Sequence, residues 1–281
     1  MKDVAKSQII AGTKAIPALP RAATKLFEML QNPDADMAEI EGILRFEPGL
    51  TANILKLTNS AYFGLPNKVG SIRQALVLLG RERLVELTMV TCAGALMWKS
   101  VPGYNLSPGE LWRHSIAVSL AAEGLVKVLN LPEDKRVFTA ALLHDIGKLV
   151  MGDWIKGDIE KIDELTAQGT SFEVAERLVL GTDHAEIGAE ILKSWAFPQE
   201  LVMAVRWHHQ PERADEPSTM VDIVHVANVL CLMIGIGIGI EGLRYELSSS
   251  ATEKLGLKPA DIEQVASSTL QWVDELGNIF V

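Results

Sequence analysis

Ala141-Leu142-Leu143-His144-Asp145-Ile146-Gly147-Lys148 sets an imidazole, a carboxylate and an ammonium inside an otherwise apolar run. Thr139 is the only polar residue between Val137 and Leu143, so a helix here is buried on most sides. Its start is expected near Pro132. In a helix, His144 and Asp145 stand side by side, and Lys148 lies one turn on from His144. Three ionisable groups in an apolar helix are costly unless something pairs them. A metal cation is the simplest partner. Gly147 leaves room for another element to approach closely.

The rest of the chain bounds the fold. Its 281 residues, 48% of them hydrophobic, suffice for a sizeable core. A net charge of -10 opposes binding to duplex nucleic acid, which favours a basic face. Cys92 and Cys231 lie far apart in apolar contexts and read as reduced core residues. Met1-Lys2-Asp3 leads into no apolar leader, so the expected location is cytoplasmic. Ile223 to Ile240 is almost wholly apolar but contains His225, Asn228 and three glycines. That pattern suits a buried helix running into a turn, not a membrane span.

Before the loop Pro102-Gly-Tyr-Asn-Leu106, helix follows helix. Pro20 suits a first helical position, with Ala23, Leu26, Phe27 and Leu30 at helical spacing. Asp36 and Glu39 form a capping box, and Pro48 opens a helix carrying Leu50, Ile54, Leu55 and Leu57. Ser71 caps another that Gly80 stops, and a long helix spans about Arg81 to Trp98. No sustained strand alternation occurs, so the expected class is all-α. The expected division is an N-terminal helical bundle, 1-105, packed on a C-terminal helical subdomain, 106-281.

After the loop, polar ligand types recur on apolar helix faces. Ser107, Pro108 and Glu110 read as a capping box, and His114 shares a face with Val118, Ala121 and Leu125. Asp183 and Glu186 cap a helix whose first turn holds His184, where the helix dipole is expected to keep the ring neutral. Leu201, Val205 and His208 lie on one face of the next helix, with His209 beside them; capping a helix C-terminus accounts for that pair equally well. Asn228 follows on the last core helix, while His225 is expected to be structural or at the surface. Five of the six histidines fall in this series, and imidazole with carboxylate is the ligand set of Fe, Mn and Zn, with room for one ion or two. Trp112, Trp154, Trp195 and Trp207 read as core packing before base stacking.

The remaining segments carry less chemistry. Asp158 to Arg177 reads as two surface helices broken at Gly169. Met233 to Ile240, with alternating glycines, reads as a compact turn with a surface open to a partner. A last helix is expected from Leu255 to Phe280, with Pro259 at its start and Ile262, Val265, Leu270 and Val273 inward.

Four segments resemble the HDOD family, the HD-related output domains of bacterial signalling proteins: Ile16-Pro-Ala-Leu-Pro20, Phe46-Glu-Pro-Gly-Leu50, Leu55-Lys-Leu-Thr-Asn-Ser-Ala-Tyr-Phe-Gly64 and Ser71-Ile-Arg-Gln-Ala-Leu-Val-Leu-Leu-Gly80. The resemblance covers about residues 15 to 235. It implies a regulatory output module that binds other signalling proteins. The second half is similar to the HD superfamily and its HD-GYP branch, whose ligand series is matched here by Glu110, His114, His144, Asp145, Lys148, His184, His208 and His209. Glu110 competes with its own capping role. Asn228 stands where that pattern has its last Asp, and an amide is a weaker ligand that cannot bridge two cations. Gln210-Pro-Glu-Arg-Ala-Asp215 replaces the branch's Gly-Tyr-Pro loop. The alternative the resemblance implies is a metal-dependent phosphohydrolase on a nucleotide or cyclic dinucleotide, with Lys148 offsetting phosphate charge.

Overall fold

The computed structural model describes every residue except 1, 18, 20, 31–36, 46, 133, 135, 241–244 and 278–281. Its helices, in chain order, are α1 (Lys2–Gly12), α2 (Arg21–Leu30), α3 (Met37–Arg45), α4 (Pro48–Thr58) and α5 (Ile72–Met97). There follow α6 (Glu110–Val128), α7 (Arg136–Leu143), α8 (Lys148–Ala167), α9 (Phe172–Leu180) and α10 (His184–Ser194). The last are α11 (Gln199–Trp207), α12 (Thr219–Met233), α13 (Ser249–Leu255) and α14 (Pro259–Gly277). Among the described residues there is no strand, only an isolated antiparallel bridge between Val101 and Leu106. The fold is all-α, as the patterning requires. Among those residues no helix is long and apolar enough to cross a membrane.

Local chemistry sets the helix ends. The Ser71 side chain accepts from Gln74 N at 3.2 Å, and Asp183 accepts from Glu186 N at 2.6 Å. Gly80, at φ 83°, breaks α5 into the two helices read from the sequence. Gly169, at φ 92°, separates α8 from α9. Pro20, Asp36, Phe46 and Phe280 lie outside the described residues.

Helix α6 is the axis of the second half. It packs against α7, α12 and α14, and most of its residues are buried. α1 crosses back to pack on α8, α9 and α10, with Ile9 buried and Lys6 Nζ 2.8 Å from Glu186 Oε1. The two halves also meet where α5 contacts α6 and α7.

Several local expectations are corrected. α7 begins at Arg136, not Pro132, and ends at Leu143, so His144 and Asp145 occupy a turn before α8. α6 begins at Glu110 after Gly109, whose φ of 85° no capping residue at Ser107 would produce. Leu255 ends the separate helix α13, closed by Gly256 at φ 63°. Leu270 faces solvent, whereas Val265 and Val273 are buried. Trp112 and Trp195 are core residues, and Trp207 lies under Arg206, its guanidinium 4.4 Å from the ring centroid.

Candidate metal centre

Asp145 lies at the meeting point of four helix ends and is fully buried. The turn that carries it exists because α7 stops at Leu143 and α8 starts at Lys148. Gly147 makes the turn fit: a Cβ there would lie 1.9 Å from the His184 carbonyl oxygen. The start of α10 is thereby seated directly against the His-Asp turn.

The carboxylate faces two sets of imidazoles. Its Oδ2 is 3.3 Å from His144 Nε2 and 3.5 Å from His114 Nε2. Its Oδ1 is 3.5 Å from His184 Nε2 and 3.8 Å from His208 Nε2. His209 joins the second set, its Nε2 2.8 Å from that of His184. Donor atoms of Asp145, His184, His208 and His209 all lie within 4.8 Å of one another, and so do those of His114, His144 and Asp145.

For four of the five rings, the inward Nε2 is aimed by what holds the ring's other nitrogen; His209 Nδ1 has no hydrogen-bond partner. His144 Nδ1–H donates to the Ala141 carbonyl at 2.7 Å, and His208 Nδ1–H to that of Val205 at 2.7 Å. His114 Nδ1–H donates to the Ile236 carbonyl at 3.0 Å, and His184 Nδ1–H to Glu176 Oε2 at 2.8 Å. Outer hydrogen bonds of this kind fix tautomer and orientation around a cation. His208 thus both caps α11 and points into the cluster.

The ionisation states follow from burial and neighbours. Burial drives His114 down to about 3, and it holds His208 and His209 well below the ordinary histidine range, with neighbouring imidazoles adding to the effect. Burial alone would raise Asp145, but His144 and Lys148 outweigh it and keep the carboxylate ionised. His184 departs from the dipole-based expectation. Burial would lower it, yet the Glu176 carboxylate raises it to about 9. The helix N-terminus loses to a carboxylate in direct contact.

Whether this set suits a metal is tested by its unsatisfied atoms. His144 Nε2, His208 Nε2 and both oxygens of Asp145 are buried with no hydrogen-bond partner. Buried polar atoms are rarely left so, and these converge on a common space. Lys148 Nζ, 2.8 Å from Oδ2, supplies a charge but not a hydrogen bond. The donor types are those of a transition-metal site. The cluster can hold a metal.

Two of the sequence candidates stand differently. Glu110 is exposed, and its carboxylate accepts from Ser107 N at 2.5 Å, away from the cluster. Asn228 does arrive, its Oδ1 3.0 Å from His114 Nε2. His225 is structural: Nδ1–H donates to the His208 carbonyl at 2.8 Å, and Nε2 accepts from Ser248 N at 2.9 Å.

Sequence reasoning missed three contributors. Glu176, fully buried in α9, also accepts from the His184 backbone N–H at 2.9 Å and is hydrogen bonded to the Tyr104 hydroxyl. It lies in the segment Asp158 to Arg177 that reads as two surface helices, and its spacing gives no signal. Tyr104 lay in a loop read only as a boundary. The Gly-rich segment after α12 closes over His114, where a Cβ on Gly237 would lie 2.5 Å from the ring. Its glycines permit that approach.

Together, the helical fold and the buried His-Asp cluster define an all-α protein with a metal-capable centre. The chain belongs to the HDOD domain family, whose model matches residues 16–211. An HDOD domain protein of Geobacter sulfurreducens shares 23% identity and a TM-score of 0.71, covering 98% of this chain and 93% of that one. A candidate phosphohydrolase of Shewanella amazonensis SB2B shares 25% identity and a TM-score of 0.66, covering 93% and 97%. A protein of Treponema pallidum (strain Nichols) is 26% identical over 219 residues, and this chain's match spans 76% of its own length but 42% of that relative.

Proposed function

We propose that this chain is a bacterial signalling module that holds a transition metal, Fe, Mn or Zn, and acts by binding another signalling protein. The observation that carries this reading is the closure of the centre. His144, Asp145, His184 and His208 are fully buried, His114 is 2% exposed, and only His209 reaches half-burial. The ring of Tyr245 stacks on His209 with centroids 4.4 Å apart. A catalytic metal site keeps an open position for substrate, and here the ligand side chains and their cover leave little approach. Lys148, which a hydrolase would turn toward phosphate, is buried and paired with Asp145.

A metal bound here would supply Lewis acidity and a fixed positive charge. The chain's own residues supply the rest. Asp145 offers one oxygen to each imidazole set, Glu176 and the helix carbonyls aim the rings, and the segment over His114 excludes water. Family membership supports the output role, and the donor set supports the metal.

The second reading, a metal-dependent phosphohydrolase, draws on the half-buried His209 and on the similarity to the Shewanella protein. Elemental analysis after metal-replete expression is expected to find bound metal in the wild type and none in His208→Ala. Assays with bis(p-nitrophenyl) phosphate and with cyclic dinucleotides, plus Mn or Fe, are expected to show no turnover. Turnover that His208→Ala abolishes would establish the hydrolase instead.

A further inference from the structure

Helices α6 and α14 enclose a cavity of about 240 Å³, walled by Tyr62, Leu120, Lys127, Val128, Thr269 and Trp272 among others. None of its lining residues belongs to the His-Asp cluster. Its walls grade from wet to dry. Lys127 and Gln264 are exposed and mark the mouth, whereas Thr269 is 1% exposed. The Thr269 hydroxyl oxygen is buried with no hydrogen-bond partner. A helical threonine commonly donates to the carbonyl one turn back, as Thr88 does to Leu84 at 2.9 Å. A buried hydroxyl left open beside a cavity is the exception, and a ligand polar group would close it.

Charge in the wall is one-sided. Glu123 lines the cavity too, but Arg83 Nη1 holds one of its oxygens at 2.7 Å and the Tyr62 hydroxyl holds the other at 3.0 Å. The Lys127 ammonium has no ion pair or hydrogen bond among the described residues. Between mouth and floor the wall is apolar: Leu120, Val128 and the Trp272 ring, which meets Tyr62 edge-on with centroids 5.6 Å apart. Pockets for drug-sized ligands run about 300–1,000 Å³. A space of about 240 Å³ therefore suits something smaller, a ring system with a single charged group.

We propose that this cavity binds a small aromatic acid, its carboxylate on Lys127 at the mouth, its ring against Leu120 and Trp272, and a ring N–H donating to the Thr269 hydroxyl. Such an occupant touches α6, α14 and, through Tyr62, the N-terminal half. The turn that carries Tyr62 is already tied to α14, since Ala61 N donates to Glu275 Oε1 at 2.5 Å. Tyr62 and Glu123 also belong to the Arg83 cluster, so binding bears on the junction of the halves and gives a signalling module an input of its own. The proposal goes beyond the metal reading and does not depend on it.

Its test is isothermal titration calorimetry of the full chain with indole-3-acetate, and with indole-3-acetamide as the uncharged control. Wild type is expected to bind the acid saturably, one per chain, with a dissociation constant on the order of 1 mM or tighter. The amide is expected to bind about tenfold more weakly, for want of a charge-assisted contact. Lys127→Gln should bring acid and amide to the same affinity. Thr269→Val, nearly isosteric, should weaken both by about fivefold. Leu270→Ala, on the exposed face of α14, should change neither. No saturable binding in wild type, equal affinity for acid and amide, or binding indifferent to both Lys127→Gln and Thr269→Val would each overturn the proposal and leave the metal centre standing. Lys127 is exposed, so its variant keeps the test decisive if Thr269→Val does not fold.

Discussion

Two of the buried charged clusters among the described residues are built in opposite ways. At the junction of the halves, Arg83 Nη1 meets Glu86 at 2.6 Å and Glu123 at 2.7 Å, while the Tyr62 hydroxyl donates to Glu123 at 3.0 Å. Donors face acceptors at every oxygen of the pair except Glu86 Oε1, which has no hydrogen-bond partner. Burial and Glu123 together push the Tyr62 phenol far up, so it stays a donor. Around Asp145, imidazole nitrogens and carboxylate oxygens converge, and His144 Nε2, His208 Nε2 and both Asp145 oxygens are left without a hydrogen-bond partner. Burial of charge thus has two meanings. A largely satisfied cluster locks elements together, and an unsatisfied one is shaped for something absent from the chain.

The largest expected effect tests the first cluster. Arg83→Ala leaves two buried carboxylates without their cation and is expected to cost about 3–5 kcal/mol in urea denaturation. That loss should be the same with or without metal. A cost below about 1 kcal/mol would show that the junction cluster is not what fastens the halves.

Next comes metal loading. Wild type with free Zn²⁺ at about 100 times its dissociation constant should gain about 2.7 kcal/mol, and His208→Ala should gain nothing. An equal gain in both would place the ion elsewhere.

The pH dependence of the metal-free protein sharpens the contrast further. His184 is raised to about 9 by Glu176, above its unfolded value of 6.5. Its stabilising contribution is therefore complete below pH 6.5 and is lost as pH rises through 9. Thermal unfolding should show that decline in wild type and a flatter profile in His184→Gln. Metal uptake below pH 9 must also displace the His184 proton, which buffer-dependent calorimetry can count. The smallest effect is Tyr62→Phe. It removes one hydrogen bond from the Arg83 cluster, about 1 kcal/mol, and should leave metal content unchanged.

How legible was this in the sequence? Helix starts with a side-chain cap were readable, because Ser71 and Asp183 act on groups three residues away. Starts set by glycine conformation, such as α6 after Gly109, were not. Five imidazoles and Asp145 came together as the helical patterning and the family resemblance implied. The His-Asp pair itself sits in a turn, since apolar patterning runs through a short break without registering it. His184 was misjudged because its decisive neighbour, Glu176, is brought to it by the packing of α9 against α10.

The sequence by itself determined the helical class, the family and the ligand types, all of which rest on short-range periodicity and residue identity. Only the tertiary structure decided which nitrogen of each ring faces inward, that Asn228 meets His114 and Lys148 meets Asp145, and that the Gly-rich segment covers His114. Those depend on contacts between residues as many as 122 positions apart, and no local pattern encodes such distances.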